Sequence, residues 1–234
     1  MSTLNTLQEN MFNIADENDI PGMVESDQCD TIKKIAQSLP EKAKVLEIGS
    51  WVGRSTWSWL NGLSPNAEMV TVDPFMLDAK TGKHRKRQML RKNQIVNEIM
   101  NYHLEHGGAK TWRAVIDEHP NKNAHKKLFV GLSTDFGEEN NDTWDCVYID
   151  GDHSYEGVKT DLEMFEPRTN IICGDDYKPE ELPNPFGGKP IRAQLGVVQA
   201  VNEMCEKTGR TLWLDPKSCF WIASKQKEFL TDFF

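Results

Sequence analysis

The stretch Lys44-Val-Leu-Glu-Ile-Gly-Ser-Trp-Val-Gly-Arg-Ser-Thr56 constrains the fold of this chain more than any other. Val45 to Ile48 reads as a short strand dominated by apolar side chains. Gly49 and Gly53 bracket a tight turn, and Arg54 to Leu60 continues in helical register. Strand, glycine turn and helix form the opening unit of an open α/β sheet, with the first helical amides facing a bound ligand. The spacing is Gly-x-x-x-Gly, which is not the dinucleotide fingerprint, and two glycines alone also fit a plain strand-to-helix turn. A second β-like run, Met69 to Val72, ends at Asp73. An acid about twenty residues past such a turn, beside the first strand, can accept both hydroxyls of a ribose.

The motif Glu-x-Gly-x-x-x-Gly, carried by Glu47, Gly49 and Gly53, resembles that of the class I S-adenosylmethionine-dependent methyltransferases. The resemblance implies that the glycine turn packs on the methionyl part of the donor and that Asp73 holds its ribose. Ser50, Trp51 and Ser55 fall in the same turn and are candidate donor contacts. Trp51 either shields a ligand or packs under the sheet edge.

The remaining elements follow in order. Residues 1–40 read as a helical arm, with a helix from Asp27 to Leu39 capped by Asp27 or Asp30. Residues 41–234 read as one domain. Within it, residues 76–124 form a long link between the second and third strands. That link carries Lys80, Lys83, His84, Arg85, Lys86, Arg87, Arg91 and Lys92, then helices from Met89 to Leu104 and from Thr111 to Glu118. The basic run suits either a clamp for an anionic substrate or a solvated helix face. Lys127 to Leu132 is the predicted third strand, with Ser133 or Thr134 capping the helix after it. Ser133 is a candidate contact to the donor adenine, as the resemblance implies.

Trp144 to Ile149 reads as the fourth strand and runs into Asp150-Gly-Asp-His153; Asn170 to Cys173 reads as the fifth and runs into Gly174-Asp-Asp-Tyr177. A helix from Tyr155 to Glu166 joins them, so the two strands are expected to lie parallel, with their carboxyl ends on one rim. Ligands bind at that rim in open α/β sheets. Asp150, Asp175 and Asp176 are therefore expected to converge, and a hard divalent cation such as Mg²⁺ relieves their repulsion. Ordinary capping of helices and turns is the alternative role for such acids.

The run Ile149-Asp-Gly-Asp-His-Ser-Tyr-Glu-Gly-Val158, with Asp161 after it, resembles the metal-dependent small-molecule O-methyltransferases of the macrocin and mycinamicin group, which share a framework with cephalosporin hydroxylase-like proteins. The resemblance spans about Ile20 to Ala223. It implies that Asp150, Asp175 and Asp176 bind Mg²⁺, that Asp150 also borders the donor, and that the base is His153 or, in some sugar-modifying members, Asp152. Histidine suits proton removal from a hydroxyl because its ordinary pKa lies near neutrality.

After a Pro/Gly-rich loop in which Tyr177 or Phe186 offers a substrate wall, a helix is expected from Ile191 to Lys207, with Leu195 in its core face. Thr211 to Leu214 and Ser218 to Ile222 form an antiparallel hairpin. The expected fold is thus a Rossmann-like class I methyltransferase fold, a mostly parallel seven-stranded sheet with an antiparallel C-terminal edge hairpin. Phe229 to Phe234 is expected to pack on the body or on a partner subunit.

Composition narrows the partners. A net charge of −9 argues against a general nucleic-acid binder. There is no apolar run long enough to span a membrane and no secretion signal at Met1 to Asn10. Five scattered cysteines without Cys-x-x-Cys spacing argue against structural zinc or a disulfide framework and point to a cytoplasmic protein. The leading expectation is Mg²⁺-dependent methyl transfer from S-adenosylmethionine to a small hydroxylated molecule, a sugar or a phenol. A hydroxylase-like reaction on the same framework and a non-catalytic binding protein are the alternatives. Members of the resembling group are often homo-oligomers, and no residue here sets a subunit count.

Overall fold

The computed structural model describes residues 11–75, 93–181, 194–216 and 218–231. Seven strands are found among them: β1 (Lys44–Ile48), β2 (Glu68–Val72), β3 (His125–Phe129), β4 (Trp144–Ile149), β5 (Thr169–Gly174), β6 (Thr211–Leu214) and β7 (Trp221–Ser224). They form a single sheet in the order β3-β2-β1-β4-β5-β7-β6. The first five run parallel, and β7 is antiparallel to both β5 and β6. This is the mostly parallel sheet with a C-terminal hairpin that the sequence predicts. The hairpin places its second strand, not its first, against β5.

Side chains alternate across each strand, and two cores result. Val45, Met69, Cys146, Tyr148, Cys173 and Ile222 face one layer of helices. Leu46, Ile48, Val72, Val147, Ile149 and Ile172 face the other. The first layer holds α1 (Ser26–Ser38), α2 (Arg54–Gly62), α3 (Gln94–His106), α4 (Gly108–Ile116) and the short α8 (Lys227–Leu230). The second holds α5 (Ser133–Glu139), α6 (Tyr155–Phe165) and α7 (Leu195–Thr208). Cys146 and Cys173 are fully buried free thiols, which is the small-apolar role their strand positions suggest. No helix among the described residues is long and apolar enough to cross a membrane.

Several boundaries differ from the sequence expectation, each for a local reason. Helix α1 is capped by Glu25, not Asp27 or Asp30, because Gln28 returns its side-chain oxygen to the Glu25 amide at 2.7 Å. Strand β3 starts two residues early and ends at Phe129. It is an edge strand, and the apolar Val130 and Leu132 that suggested a longer run are exposed. Neither Ser133 nor Thr134 caps α5, whose preceding residue Leu132 makes no side-chain cap. Leu195 is exposed, so the core face of α7 is carried by Val197, Ala200, Val201 and Met204. In the long link, α3 and α4 meet at Gly107, whose φ of +83° breaks the helical path. Phe229 packs against the first core. The basic run from Lys80 to Lys92, Met89, Leu90, Phe186, Phe233 and Phe234 lie outside the described residues.

Candidate active site

A cavity of about 1000 Å³ opens at the carboxyl ends of β1, β2 and β4. Gly49, Ser50, Trp51, Ser55 and Asp73 border it on one side. Ser133, Asp150, Asp152 and His153 border it on the other. Glu47 and Gly53 stand behind the first wall, and Asp175 and Asp176 stand beyond the second.

The first wall is the glycine turn. Gly49 has φ +83°, and a Cβ there would lie 2.1 Å from the Asp150 carbonyl oxygen. Glycine is required by both conformation and space. Gly53, with φ +100°, starts α2. Asp73 ties the turn to β2: its Oδ2 accepts the Ser50 and Trp51 amides, each at 2.7 Å, and its Oδ1 accepts the Phe75 amide at 2.6 Å. Trp51 also has positive φ, at +51°, and its buried ring meets His103 edge-on. It thus both borders the cavity and packs on α3.

Glu47 lies wholly buried beneath the turn and accepts the hydroxyls of Ser55, Thr56 and Thr71 at 2.7, 2.5 and 2.9 Å. Burial pushes its carboxyl up to about 7, against the pull of those hydroxyls. Thr56 also bonds Ser50 Oγ at 2.6 Å, and the indole N–H of Trp112 donates to Ser50 Oγ at 2.8 Å. The sequence expectation does not include Trp112 in the site, since nothing local in α4 announces a partner 62 residues earlier.

The second wall carries the charge. His153 Nδ1 lies 2.6 Å from Asp176 Oδ2, and its Nε2 lies 3.3 Å from Asp150 Oδ1. Lys178 pairs with Asp176 Oδ1, and the Tyr148 hydroxyl donates to Asp150 Oδ2 at 3.1 Å. Burial lowers the His153 pKa, but the two carboxylates outweigh it and raise the ring to about 10. Burial likewise raises Asp176, and His153 and Lys178 outweigh it, to about 2. Burial raises Asp150, and burial together with the Asp150 and Asp176 charges raises Asp175 to about 7.

Asp175 is turned away from this pair. Its Oδ1 accepts the Gln28 amide, the Cys219 thiol at 3.0 Å and the Asp176 N–H at 2.6 Å. Possible ligand atoms of Asp150, His153 and Asp176 lie within 4.8 Å of one another, and so do those of Asp175, Asp176 and Cys219. Asp176 belongs to both groups, and its backbone takes φ +63° at that junction. Three carboxylates crowd one rim, balanced by one imidazolium and one ammonium. The carboxylate oxygens suit a hard divalent cation, but the three aspartates expected together meet only through Asp176, with His153 in one group and Cys219 in the other.

The other predicted residues take definite places. Asp152 turns back to the start of α6, where its two oxygens accept the amide and hydroxyl of Ser154 at 2.9 Å each. Ser154 caps α6 by accepting the Gly157 amide at 3.1 Å. Ser133 donates its hydroxyl to buried Asp161, which burial pushes up to about 6. Tyr177 donates to Asn202 at 2.9 Å and packs on the second core.

Fold and rim together are those of a class I S-adenosylmethionine-dependent methyltransferase. A family model described as a methyltransferase domain matches residues 46–177, more than half of the chain, and the chain belongs to that family. Solved structures share the fold at low identity. Rv0187 from MTB, in a cofactor-bound crystal structure, is 16% identical with a TM-score of 0.59, over 88% of this chain and 83% of that one. An O-methyltransferase from Bacillus cereus in complex with SAH is 16% identical with a TM-score of 0.54, over 89% and 86%. TomG from Streptomyces achromogenes, an O-methyltransferase involved in tomaymycin synthesis and solved with SAM, is 14% identical with a TM-score of 0.50, over 86% and 80%. Among curated protein sequences, none matches.

Proposed function

We propose that this chain transfers a methyl group from S-adenosylmethionine to a hydroxyl of a small molecule, with Mg²⁺ held by Asp150, Asp175 and Asp176. The observation that carries the proposal is the meeting of His153 with Asp150 and Asp176 beside a cavity built on the glycine turn, with Asp175 next to Asp176. The O-methyltransferases from Bacillus cereus and Streptomyces achromogenes, solved with SAH or SAM bound, support the same direction.

In this reading the donor lies along the first wall. Gly49 closes the turn against Asp150 and Gly53 lets α2 start against α4 behind it, Ser50, Trp51 and Ser55 border the methionyl part, Asp73 takes the ribose and Ser133 borders the adenine. Glu47 acts from below, holding α2 and the turn together. The acceptor oxygen sits on the Asp150 side. A divalent cation there supplies a lowered hydroxyl pKa. His153 is fixed through Nδ1 by Asp176, while Nε2 faces Asp150 and the two carboxylates hold the ring protonated. It would serve as the base only when the Asp150 carboxylate is taken over by a cation and the ring pKa falls, which would free Nε2 for the hydroxyl proton. The oxygen lone pair forms the new bond to the methyl carbon as the carbon–sulfur bond breaks, and S-adenosylhomocysteine leaves. Asp152, with both oxygens bound to Ser154, is the weaker candidate for the base. Positioning of two reactants supplies much of the rate gain.

The test is calorimetric titration of S-adenosylmethionine with MgCl₂ and then with EDTA, followed by mass analysis of hydroxylated sugars and phenols incubated with the donor. A 14 Da gain that requires Mg²⁺ is the expected result. An oxygen-atom gain would favour a hydroxylase-like reaction. Absent donor binding by the folded protein would favour a non-catalytic binding role.

A further inference from the structure

Gln28 is a buried amide at the start of α1, and every polar atom of its side chain is used. Its oxygen accepts the Glu25 amide at 2.7 Å and closes the helix cap. Its nitrogen donates to Asp175 Oδ1 and stands 3.5 Å from Cys219 Sγ. The cap settles the orientation of the amide, because the oxygen must face Glu25 and the nitrogen must therefore face Asp175. Three donors on Asp175 Oδ1, from Gln28, Cys219 and Asp176, leave Oδ2 as the oxygen that no donor among the described residues reaches.

The same helix start belongs to a strap that borders the cavity. Pro21, Gly22, Met23 and Val24 line it, and Ile20 and Val24 are anchored in the first core. The strap is pressed on the glycine turn's helix. A Cβ on Gly22 would lie 2.3 Å from Arg54 Cδ, and Arg54 Nη2 donates to Asn18 at 3.1 Å. One continuous segment, residues 18–28, therefore touches the donor wall at Arg54 and the acidic rim at Asp175.

We propose that Gln28 is a positioning residue that presents Asp175 through Oδ2 and makes the strap a mechanical link between donor and cation, so that each tightens the other. This rests on the donor and Mg²⁺ assignments above. The link acts in both directions, since coupling between two binding sites is reciprocal.

The experiment is calorimetry on the full chain, titrating S-adenosylhomocysteine with and without MgCl₂, and MgCl₂ with and without S-adenosylhomocysteine. It compares the wild type with Gln28→Met and Gln28→Glu. The glutamate variant keeps an acceptor for the Glu25 amide, so the α1 cap survives while the donor to Asp175 is lost. The expected wild-type result is a tightening of about five-fold or more of each ligand by the other. In both variants each ligand still binds alone and the factor falls to about one. Coupling that persists in either folded variant, or a wild type that binds both ligands independently, overturns the role of Gln28 while leaving the donor and metal assignments intact. A wild type that binds neither ligand overturns those assignments and this inference with them.

Discussion

The turns after β1 and β4 sit side by side, and they treat buried acids in opposite ways. At the first, Glu47 takes three hydroxyls and Asp73 takes three backbone amides. Their demands are met by neutral groups of the same wall. At the second, Asp150 and Asp176 are met by His153 and Lys178, and Asp175 leans on an amide and a thiol. Neutral hydrogen bonds build a wall that is finished before any ligand arrives. At the second rim the acids are compensated by the charged side chains of His153 and Lys178. In the proposed function the difference separates binding from chemistry: the first turn would shape the donor site, and the second would hold the cation and move the proton.

The largest effect that would break this division is expected at His153. Replacing it by Ala should lower kcat by about 10²–10⁴-fold, the range of general-base catalysis. Calorimetry should show donor affinity unchanged. A parallel loss of donor binding would mean that the two walls are one unit.

Gly49 is where the walls touch, and Gly49→Ala should harm both. The left-handed conformation alone costs about 1–3 kcal/mol, and the Cβ would collide with the Asp150 carbonyl as well. Gly209→Ala, with φ +71° but no neighbour within 4 Å, is the control and should cost only about 1 kcal/mol. Thermal or urea denaturation of both variants measures the gap between strain and collision.

Glu47 offers a sharper probe of the first wall. Its folded pKa of about 7 lies above the ordinary 4.5. Below 4.5 the carboxyl is protonated in both states and the fold carries no penalty. Between 4.5 and 7 the unfolded chain ionises first, so stability falls as pH rises. Above 7 the penalty is constant, at about 3 kcal/mol. Glu47→Gln should remove that one-proton slope from urea-melt stabilities taken across this window. An unchanged slope would show that Glu47 is already ionised in the fold.

The smallest expected effect is at Trp112. Trp112→Phe removes the indole N–H that Ser50 and Thr56 share and should cost about 1 kcal/mol of stability. Donor affinity should weaken by less than about ten-fold, because the turn keeps its ties to Asp73 and Glu47. A larger loss would make the α4 layer part of the donor wall.

Much of this is legible along the chain because it rests on local rules. Short runs of mostly apolar residues mark β1, β4 and β5, and Gly49 and Gly53 mark the turn that the left-handed backbone requires. Parallel connection then brings the residues after β4 and β5 to one rim, so that Asp150, Asp175 and Asp176 can be expected together. The bounds of β3 are less legible, because an edge strand buries too little to leave a clean alternation. The partners of the acids are decided only in three dimensions. Asp175 meets Gln28 across 147 residues, His153 meets Asp176, and Ser133 gives its hydroxyl to Asp161 instead of to α5. Strand positions and parallel connection follow from apolar runs and crossover handedness, which neighbouring residues carry. Which atom faces which carboxylate follows from how helices settle on the sheet, and the packing of the whole chain determines that.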